Sequence, residues 1–191
     1  MTEEVYTRLL PLLQWAKTAR PKGRAGIIAL DGRSASGKTT LAAALGEALG
    51  AGVVHMDDFF LPPSLRTPAR LAQPGGNVHY ERFSGEVLPL LASGEAFSYR
   101  RFDCKTMSLG KLCTIAAGPW RIVEGAYSCH PAFGDYADLR VFCTADPALQ
   151  SARILERNGS AGAKAFADRW IPLEEAYFAR YQVQESAALV L

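Results

Sequence analysis

Short apolar runs alternate along the chain with longer amphipathic segments, a pattern typical of an α/β protein. The apolar runs predict five strands, at 26–30, 53–56, 120–125, 139–144 and 187–191. Helical spacing predicts helices at 3–19, 41–45, 79–91, 146–157 and 163–182. Because strands that alternate with helices pair in parallel, we expect a five-stranded parallel sheet covered on both faces, that is, a three-layer α/β sandwich.

Prolines and glycines mark where several of these elements begin or end. In the first helix, Pro11 implies either a late start or a kink. Asp146 followed by Pro147 is a typical helix start, and that helix is expected to stop near 158–159. Pro172 is expected to interrupt the last helical stretch. Lys17, Arg20, Lys22 and Arg24 form a short basic linker, which we interpret as a solvated connection.

Two stretches do not fit the alternation of strand and helix. Residues 64–77 have no clean periodicity, and a loop of this length in a compact domain is usually functional or mobile. Residues 97–103 and 111–115 bracket a turn that contains Gly110. This pattern predicts a β-ribbon over about 95–117 that projects from the main sheet.

A phosphate-binding loop links the first strand to the second helix. The sequence reads Gly32-x-x-x-x-Gly37-Lys38-Thr39, and the order strand, glycine-rich turn, helix is the context in which this motif is credible. Loop and helix N–H groups point at an anion, the lysine reaches the outer phosphates, and the threonine hydroxyl joins the Mg²⁺ shell. The motif therefore predicts a nucleoside triphosphate site. The predicted contacts are Gly32, Ser34, Ala35, Ser36, Gly37, Lys38, Thr39 and Thr40.

Three carboxylates follow two of the predicted strands. Asp57 and Asp58 end the second strand, and Glu124 ends the third. Ligands of open α/β sheets bind at the carboxyl ends of strands, so these residues are candidates for Mg²⁺ binding and proton transfer. We expect one of the two aspartates to be catalytic and the other to be a cap or a solvated neighbour. Glu124 could instead simply cap its strand.

Basic and aromatic residues supply two further candidate groups. Arg153 and Arg157 share a helix face and, with Lys164 and Arg169, could form a lid over about 153–170 that neutralises charge on a transferring phosphoryl group. A solvated basic helix is the alternative. Ribbon residues could wall an acceptor pocket or belong to an ordinary exposed ribbon; they are Tyr99, Arg100, Arg101, Phe102 and Asp103.

Composition excludes several classes of protein. The 191 residues are 49% hydrophobic and 21% charged, with a net charge of +2, which is too mild to indicate a nucleic-acid partner. No apolar run is long enough for a membrane span. Cys104, Cys113, Cys129 and Cys143 lack metal-site spacing, and Glu3 and Glu4 stand where a secretory signal needs positive charge. We therefore expect a cytoplasmic protein with reduced thiols.

The quoted motifs together resemble the phosphoribulokinase/uridine kinase family, and most closely its short bacterial uridine-kinase-like members. The resemblance covers most of the chain and includes residues 31–40, 55–60, 122–127, 153–159 and 169–172. It implies a P-loop kinase that uses ATP and Mg²⁺. Asp57 would be the general base, while Thr39, Glu124 and Asp57 would lie at the metal. Lys38, Arg153, Arg157 and Arg169 would act on the phosphoryl group.

The acceptor side departs from the family. The stretch 75–83 replaces the Asp-His-Pro element of uridine-cytidine kinases, and Met107 stands where they carry a base-contacting His. The expected acceptor contacts are Asp58, Phe60, His79, Tyr80, Arg101, Phe102, Asp103 and Tyr127.

We therefore expect an ATP-dependent kinase for a hydroxyl of a small metabolite, with a nucleoside such as uridine as first guess. Alternatives are a kinase for pantothenate, a nicotinamide nucleoside or a sugar phosphate, or a non-catalytic nucleotide-binding regulator. The expected organisation is a helix and basic linker at 1–24 and a kinase domain at 25–191. No nucleic-acid or membrane partner is expected, and a homo-oligomer is left open.

Overall fold

A five-stranded parallel sheet forms the centre of the protein in the computed structural model, which describes residues 2–19 and 21–191. Arg20 of the expected linker lies outside the described residues. The strands are β1 (Gly26–Gly32), β2 (Gly52–His55), β5 (Trp120–Glu124), β6 (Leu139–Cys143) and β7 (Leu189–Val190), in the spatial order β2-β5-β1-β6-β7. Every pairing is parallel. The predicted five-stranded parallel sheet is confirmed.

Helices cover both faces of this sheet. They are α1 (Glu3–Ala19), α2 (Lys38–Leu49), α3 (Pro68–Leu71), α4 (Tyr80–Glu86), α5 (Leu88–Leu91), α6 (Pro147–Ala165) and α7 (Ile171–Tyr181). Residues Met56–Phe59 form a turn of 3₁₀-helix directly after β2. Within the described ranges, no helix is both long and apolar enough to span a membrane.

Two hydrophobic clusters lie on opposite faces of the sheet. On one face, α1 packs against α2 and β1 through Leu9, Leu12 and Leu41. On the other face, the cluster includes Phe59, Phe83 and the α7 residues Tyr177 and Phe178. Burial of β1 on both faces explains why its sequence is a continuous apolar run.

The β-ribbon forms its own two-stranded antiparallel sheet, built from β3 (Phe97–Asp103) and β4 (Ser108–Ile115). The prediction that Gly110 forms its turn is wrong, because residues 104–107 make the turn and Gly110 lies inside β4. The ribbon also does not simply project from the main sheet. Phe97 and Tyr99 are buried in the main core, so one face of the ribbon is part of the domain.

Three predicted helix boundaries need correction. Helix α1 continues through Pro11. The stretch predicted as one helix at 79–91 is divided into α4 and α5 at Val87. The predicted stop of the 146–157 helix near 158–159 is confirmed: Gly159 has a non-helical backbone, with φ of 67°, and a second helical segment leads from there to Ala165. A π-helical turn, Phe166–Trp170, then leads into α7, so Pro172 lies in the first turn of α7 and does not interrupt it.

Candidate active site

The phosphate-binding loop leaves β1 at Gly32 and enters α2 at Lys38. Gly32 has φ of +131°, and a Cβ there would lie 2.1 Å from the carbonyl oxygen of Cys143, so only glycine fits. Lys38 Nζ donates to the carbonyl oxygens of Gly32 and Arg33 at 2.8 and 2.7 Å. These contacts hold the ammonium group against the loop.

The remaining predicted nucleotide contacts occupy the loop and the first turn of α2. Ser36 is fully buried, whereas Thr39 and Thr40 are exposed at the start of the helix. Ala35 and Gly37 have left-handed backbones, with φ of 57° and 85°. The positive φ angles at these two residues turn the loop toward the start of α2, where N–H groups attract an anion.

Three helices hold the loop from outside. Arg8 of α1 donates to the carbonyl oxygen of Ser36 at 2.6 Å, and Gln150 of α6 donates to that of Ser34 at 2.9 Å. Glu174 of α7 accepts hydrogen bonds from the backbone N–H of Ser34 at 2.9 Å and from its hydroxyl. The contacts span 28, 116 and 140 residues along the chain, so no local pattern could predict them.

Glu124 and Thr39, two of the residues predicted to lie at the Mg²⁺ ion, are neighbours in the structure. The Thr39 hydroxyl donates to the two carboxylate oxygens of Glu124, each at 3.2 Å. His55, at the end of β2, places Nδ1 2.5 Å from one of the same oxygens. The Glu124 carboxylate raises the pKa of His55, although partial burial opposes this shift. His55 was not among the predicted site residues, although its position at a strand end close to two aspartates was an available signal.

Asp57 and Asp58 are adjacent but have different environments. Asp57 is exposed, yet the surrounding protein dehydrates its carboxyl, which raises its pKa; the charge of Glu124 adds to the shift and Lys38 opposes it. Asp58 is buried. It accepts hydrogen bonds from the Tyr99 hydroxyl and from Arg101 Nε, both at 2.8 Å. Asp58 is therefore neither a helix cap nor a solvated neighbour. It ties the 3₁₀ turn Met56–Phe59, called the acidic turn below, to the ribbon.

Asp31, just before the loop, was also missed. It is fully buried, and its carboxylate accepts from the backbone N–H groups of Gly32, Tyr127 and Cys129 at 2.7 to 3.1 Å and from the Tyr177 hydroxyl at 2.9 Å. Burial raises its pKa, and these donors oppose that shift. Asp31 thus joins the nucleotide loop to the segment after β5. In that segment Tyr127 has φ of 75°, a strained backbone for a bulky residue.

Residues 75–83, the expected acceptor loop, pack on a column of aromatic rings. Tyr80 stacks on His130 with centroids 5.0 Å apart, and His130 stacks on Tyr177 at 5.9 Å. Burial lowers the pKa of His130 to about 4. His79 precedes α4, and its backbone N–H donates to the carbonyl oxygen of Phe59 at 2.7 Å. The loop is thereby anchored beside the acidic turn.

Asn77, in the same loop, has an unusual environment. The residue is 6% exposed, and neither its amide nitrogen nor its amide oxygen has a hydrogen-bond partner among the described residues. The amide lies near the Tyr127 phenol and lowers its pKa against the larger effect of burial, but it does not reach full hydrogen-bond geometry. The predicted acceptor contacts did not include Asn77.

The other predicted acceptor residues are spread more widely. Arg101 is exposed and paired with Asp58, whereas Phe102 is buried. Asp103 accepts a hydrogen bond from the N–H of Lys105 in the ribbon turn. Phe60 lies 6.0 Å from Trp170 between ring centroids, which connects the acidic turn to the end of the predicted lid.

The predicted lid arginines do not converge on the loop as a group. Arg153 pairs with Glu4 at 2.8 Å and donates to the carbonyl oxygen of Ala35 at 3.4 Å. Arg157 contacts Asn158 and lies over the Phe166 ring, and Arg169 lies over Trp170. Lys164 pairs with Asp168. Arg153 alone of these four contacts the loop among the described residues, and the role of all four in transfer stays a prediction.

Comparison with solved structures identifies the fold. A candidate uridine kinase from Bacillus stearothermophilus matches with a TM-score of 0.72 and 19% identity, over 98% of this chain and 99% of that one. A candidate fructose transport system kinase from Silicibacter sp. TM1040 matches with a TM-score of 0.70 and 23% identity, over 100% and 99%. D-glycerate 3-kinase from Cryptococcus neoformans var. grubii matches with a TM-score of 0.66 and 15% identity, over 92% and 89%.

These neighbours confirm the expected resemblance at the level of the fold: the chain has the P-loop kinase fold that the uridine-kinase-like structure shares. No protein-family model matches the sequence, and no curated protein matches it significantly. Identities of 15 to 23% carry the fold and not the substrate.

Proposed function

We propose that this protein is an ATP-dependent kinase that phosphorylates a hydroxyl group of a small metabolite. The observation that carries the proposal is the arrangement of Lys38, Glu124 and Asp57. Lys38 lies in the phosphate-binding loop, Glu124 is hydrogen-bonded to the loop's Thr39, and Asp57 lies within the electrostatic influence of both. Dehydration by the surrounding protein raises the pKa of Asp57, and carboxylates with a raised pKa beside a phosphate site are typical of proton-transferring groups.

The donor side follows from the loop. The N–H groups at the start of α2 and the Lys38 ammonium would hold the outer phosphates of ATP, since both carry positive charge toward an anion. Lys38 would exchange its present carbonyl partners for phosphate oxygens. Positioning and charge neutralisation account for most of the catalysis in phosphoryl transfer, so this loop would supply much of the rate.

The residues beside the loop fit a magnesium ion. Thr39 and Glu124 offer oxygen donors 3.2 Å apart, and the expected place of Asp57 at the metal stays a prediction. No cluster of three His, Cys, Asp or Glu side chains that could hold a metal occurs in the part of the chain that the structure describes. Few protein ligands are usual for Mg²⁺ in kinases, where phosphates and waters complete the shell. When bound, the ion neutralises charge on the phosphates.

Asp57 is the proposed general base. Its exposure leaves it accessible to an acceptor, and its raised pKa makes it a stronger base than a free aspartate. The acceptor oxygen would attack the γ-phosphorus as its proton passes to Asp57. The bond from the γ-phosphorus to the bridging oxygen would break, and ADP would leave with that oxygen.

The proposed acceptor is a polyhydroxylated metabolite. Tyr80, which stacks on His130, offers aromatic surface, and the buried side chains of Asn77 and Tyr127 offer polar groups close to each other. The three structural neighbours are named for uridine, a fructose transport system and D-glycerate. A nucleoside such as uridine remains the first candidate, with pantothenate, nicotinamide nucleosides and sugar phosphates as alternatives.

An acceptor screen tests this proposal. ADP release from Mg²⁺-ATP is measured with and without uridine, cytidine, nicotinamide riboside, pantothenate, D-glycerate, D-fructose and ribose 5-phosphate, each at millimolar concentration. We expect at least one acceptor to raise turnover more than tenfold, with the phosphorylated product visible by ³¹P NMR. Tight ATP binding with only slow, acceptor-independent hydrolysis across the panel would instead favour a non-catalytic regulator.

A further inference from the structure

Glu174 places a carboxylate against a loop that is built to bind anions. The residue is 6% exposed, and its two oxygens accept hydrogen bonds from the N–H and the hydroxyl of Ser34. Burial of a charge is costly unless hydrogen bonds compensate for it. The two hydrogen bonds from Ser34 provide this compensation, so the pair of Glu174 and Ser34 is a specific contact.

Ser34 is fixed on all its polar sides. Its N–H and hydroxyl are held by Glu174 of α7, and its carbonyl oxygen accepts from Gln150 of α6 at 2.9 Å. The next residue, Ala35, has φ of 57°, a conformation that costs free energy for a residue with a Cβ. Strain of this kind persists only where the surroundings hold it, and the two helices provide that restraint.

A shift of the Ser34 backbone would also displace the carbonyl groups that hold Lys38. The carbonyl oxygens that hold Lys38 Nζ belong to Gly32 and Arg33, the two residues directly before Ser34. Burial raises the pKa of Glu174, and the Ser34 hydrogen bonds and the Lys38 charge oppose that shift. Glu174 bonds to Ser34 and Lys38 bonds to the two residues before it, so both side chains hold the segment 32–34.

We propose that Glu174 is a positioning residue for nucleotide binding. It acts through Ser34, whose fixed backbone keeps the loop N–H groups and the Lys38 ammonium in the arrangement that a polyphosphate requires. The inference deepens the proposed function and rests on it, but its readout is nucleotide affinity and needs no acceptor. An opposing idea is that Glu174 competes with phosphate as an internal anion. The two ideas predict opposite signs when its charge is removed.

The test is a double-mutant cycle on Glu174→Gln and Ser34→Ala. Binding of Mg²⁺ and a fluorescent ADP analogue is titrated for the wild type, both single variants and the double variant, and Tm is measured for all four. Glu175→Gln is the matched control, because this neighbouring exposed carboxylate pairs with the side chain of Arg33, at 2.5 Å, and not with the loop backbone among the described residues. Charged hydrogen bonds of this kind correspond to about a tenfold to hundredfold effect.

We expect Glu174→Gln and Ser34→Ala each to weaken nucleotide binding about tenfold or more. The double variant should bind about as weakly as the weaker-binding single variant, and the affinity of Glu175→Gln should stay within about twofold of the wild type. Unchanged or tighter binding by Glu174→Gln would overturn the proposal, as would single effects that simply multiply. If Glu174→Gln does not fold, Glu174→Asp takes its place, because it keeps the charge but shortens the reach of the carboxylate to Ser34, and it should weaken binding as well. A wild type that binds no nucleotide would contradict the proposed function itself, and the Tm cycle would still measure the Glu174–Ser34 coupling.

Discussion

Arg8 of the first helix donates a hydrogen bond of 2.6 Å from Nη1 to the carbonyl oxygen of Ser36 in the phosphate-binding loop. The same helix packs on α2 through Leu9 and Leu12, so α1 and the loop share one set of contacts. A helix that the sequence pattern placed outside the nucleotide site therefore contributes to the loop's geometry.

Arg8→Ala is expected to weaken nucleotide binding about tenfold, because a hydrogen bond from a charged donor to the loop is lost. Lys17→Ala, which removes an exposed cation from the same helix, is the control and should change nothing. Titration with Mg²⁺ and a fluorescent ADP analogue measures both. If Arg8→Ala lowers Tm but binds nucleotide as the wild type does, the contact stabilises the fold only.

Lys38→Ala is expected to abolish acceptor-stimulated ADP release without unfolding the chain. Among the described residues, the ammonium donates its hydrogen bonds to loop carbonyl oxygens and to no carboxylate. Circular dichroism and Tm check the fold while coupled ADP release checks the activity. A variant that keeps more than a tenth of wild-type turnover would show that Lys38 does not hold the outer phosphates.

His130 predicts a loss of stability in acid. Burial lowers its pKa from 6.5 to about 4, so the folded state binds the proton more weakly than the unfolded chain does. Its contribution to stability is therefore complete above pH 6.5 and is lost as pH falls toward 4. Linkage gives a loss of about 2 kcal/mol between pH 7.5 and pH 5.

Urea denaturation of the wild type and His130→Phe at both pH values measures this loss. Phenylalanine keeps the aromatic stack on Tyr80 and Tyr177 but cannot be protonated. The free energy of unfolding should fall less for the variant over this interval. Equal falls in the two proteins would show that His130 has an ordinary pKa in the folded state.

Asn77→Leu is expected to leave stability unchanged or to raise it. The buried amide has no hydrogen-bond partner within residues 2–19 and 21–191, and replacing it with an apolar group of similar size removes the cost of its dehydration. Acceptor turnover should fall about tenfold if the amide contacts the acceptor, whereas nucleotide affinity should not change. Thermal unfolding, together with kcat/KM for the acceptor, separates the two effects. A large drop in Tm would mean that the amide is satisfied in solution.

Local patterns were enough to predict the sheet and the nucleotide loop. The run Ile27–Leu30 is buried on both faces, and Gly32 and Gly37 mark backbone positions that require positive φ, so both features are visible in adjacent residues. The ribbon turn was misplaced because Gly110 suggested a turn, while the actual turn uses Asp103 and a left-handed Met107. A glycine in a strand is not distinguishable from a glycine in a turn by composition alone.

The contacts that shape the site depend on distant residues and could not be predicted. Glu174 meets Ser34 across 140 residues, and Tyr177 meets Asp31 across 146. In the sequence, Glu174 and Tyr177 look like ordinary positions of an amphipathic helix. Arg153 was expected to act on the phosphoryl group, but its pairing with Glu4 depends on how α1 packs, which no spacing within α6 encodes. Long-range side-chain contacts follow from the fold and not from the local pattern.

The central claim is phosphoryl transfer with Asp57 as the base, and the most direct test follows the γ-phosphate itself. Transfer of label from [γ-³²P]ATP to the acceptor found by screening is measured in a single turnover for the wild type and Asp57→Asn, beside titration with the fluorescent ADP analogue. Transfer is expected to fall at least about a thousandfold in Asp57→Asn, while nucleotide affinity stays within about threefold. Full transfer by Asp57→Asn would contradict this claim.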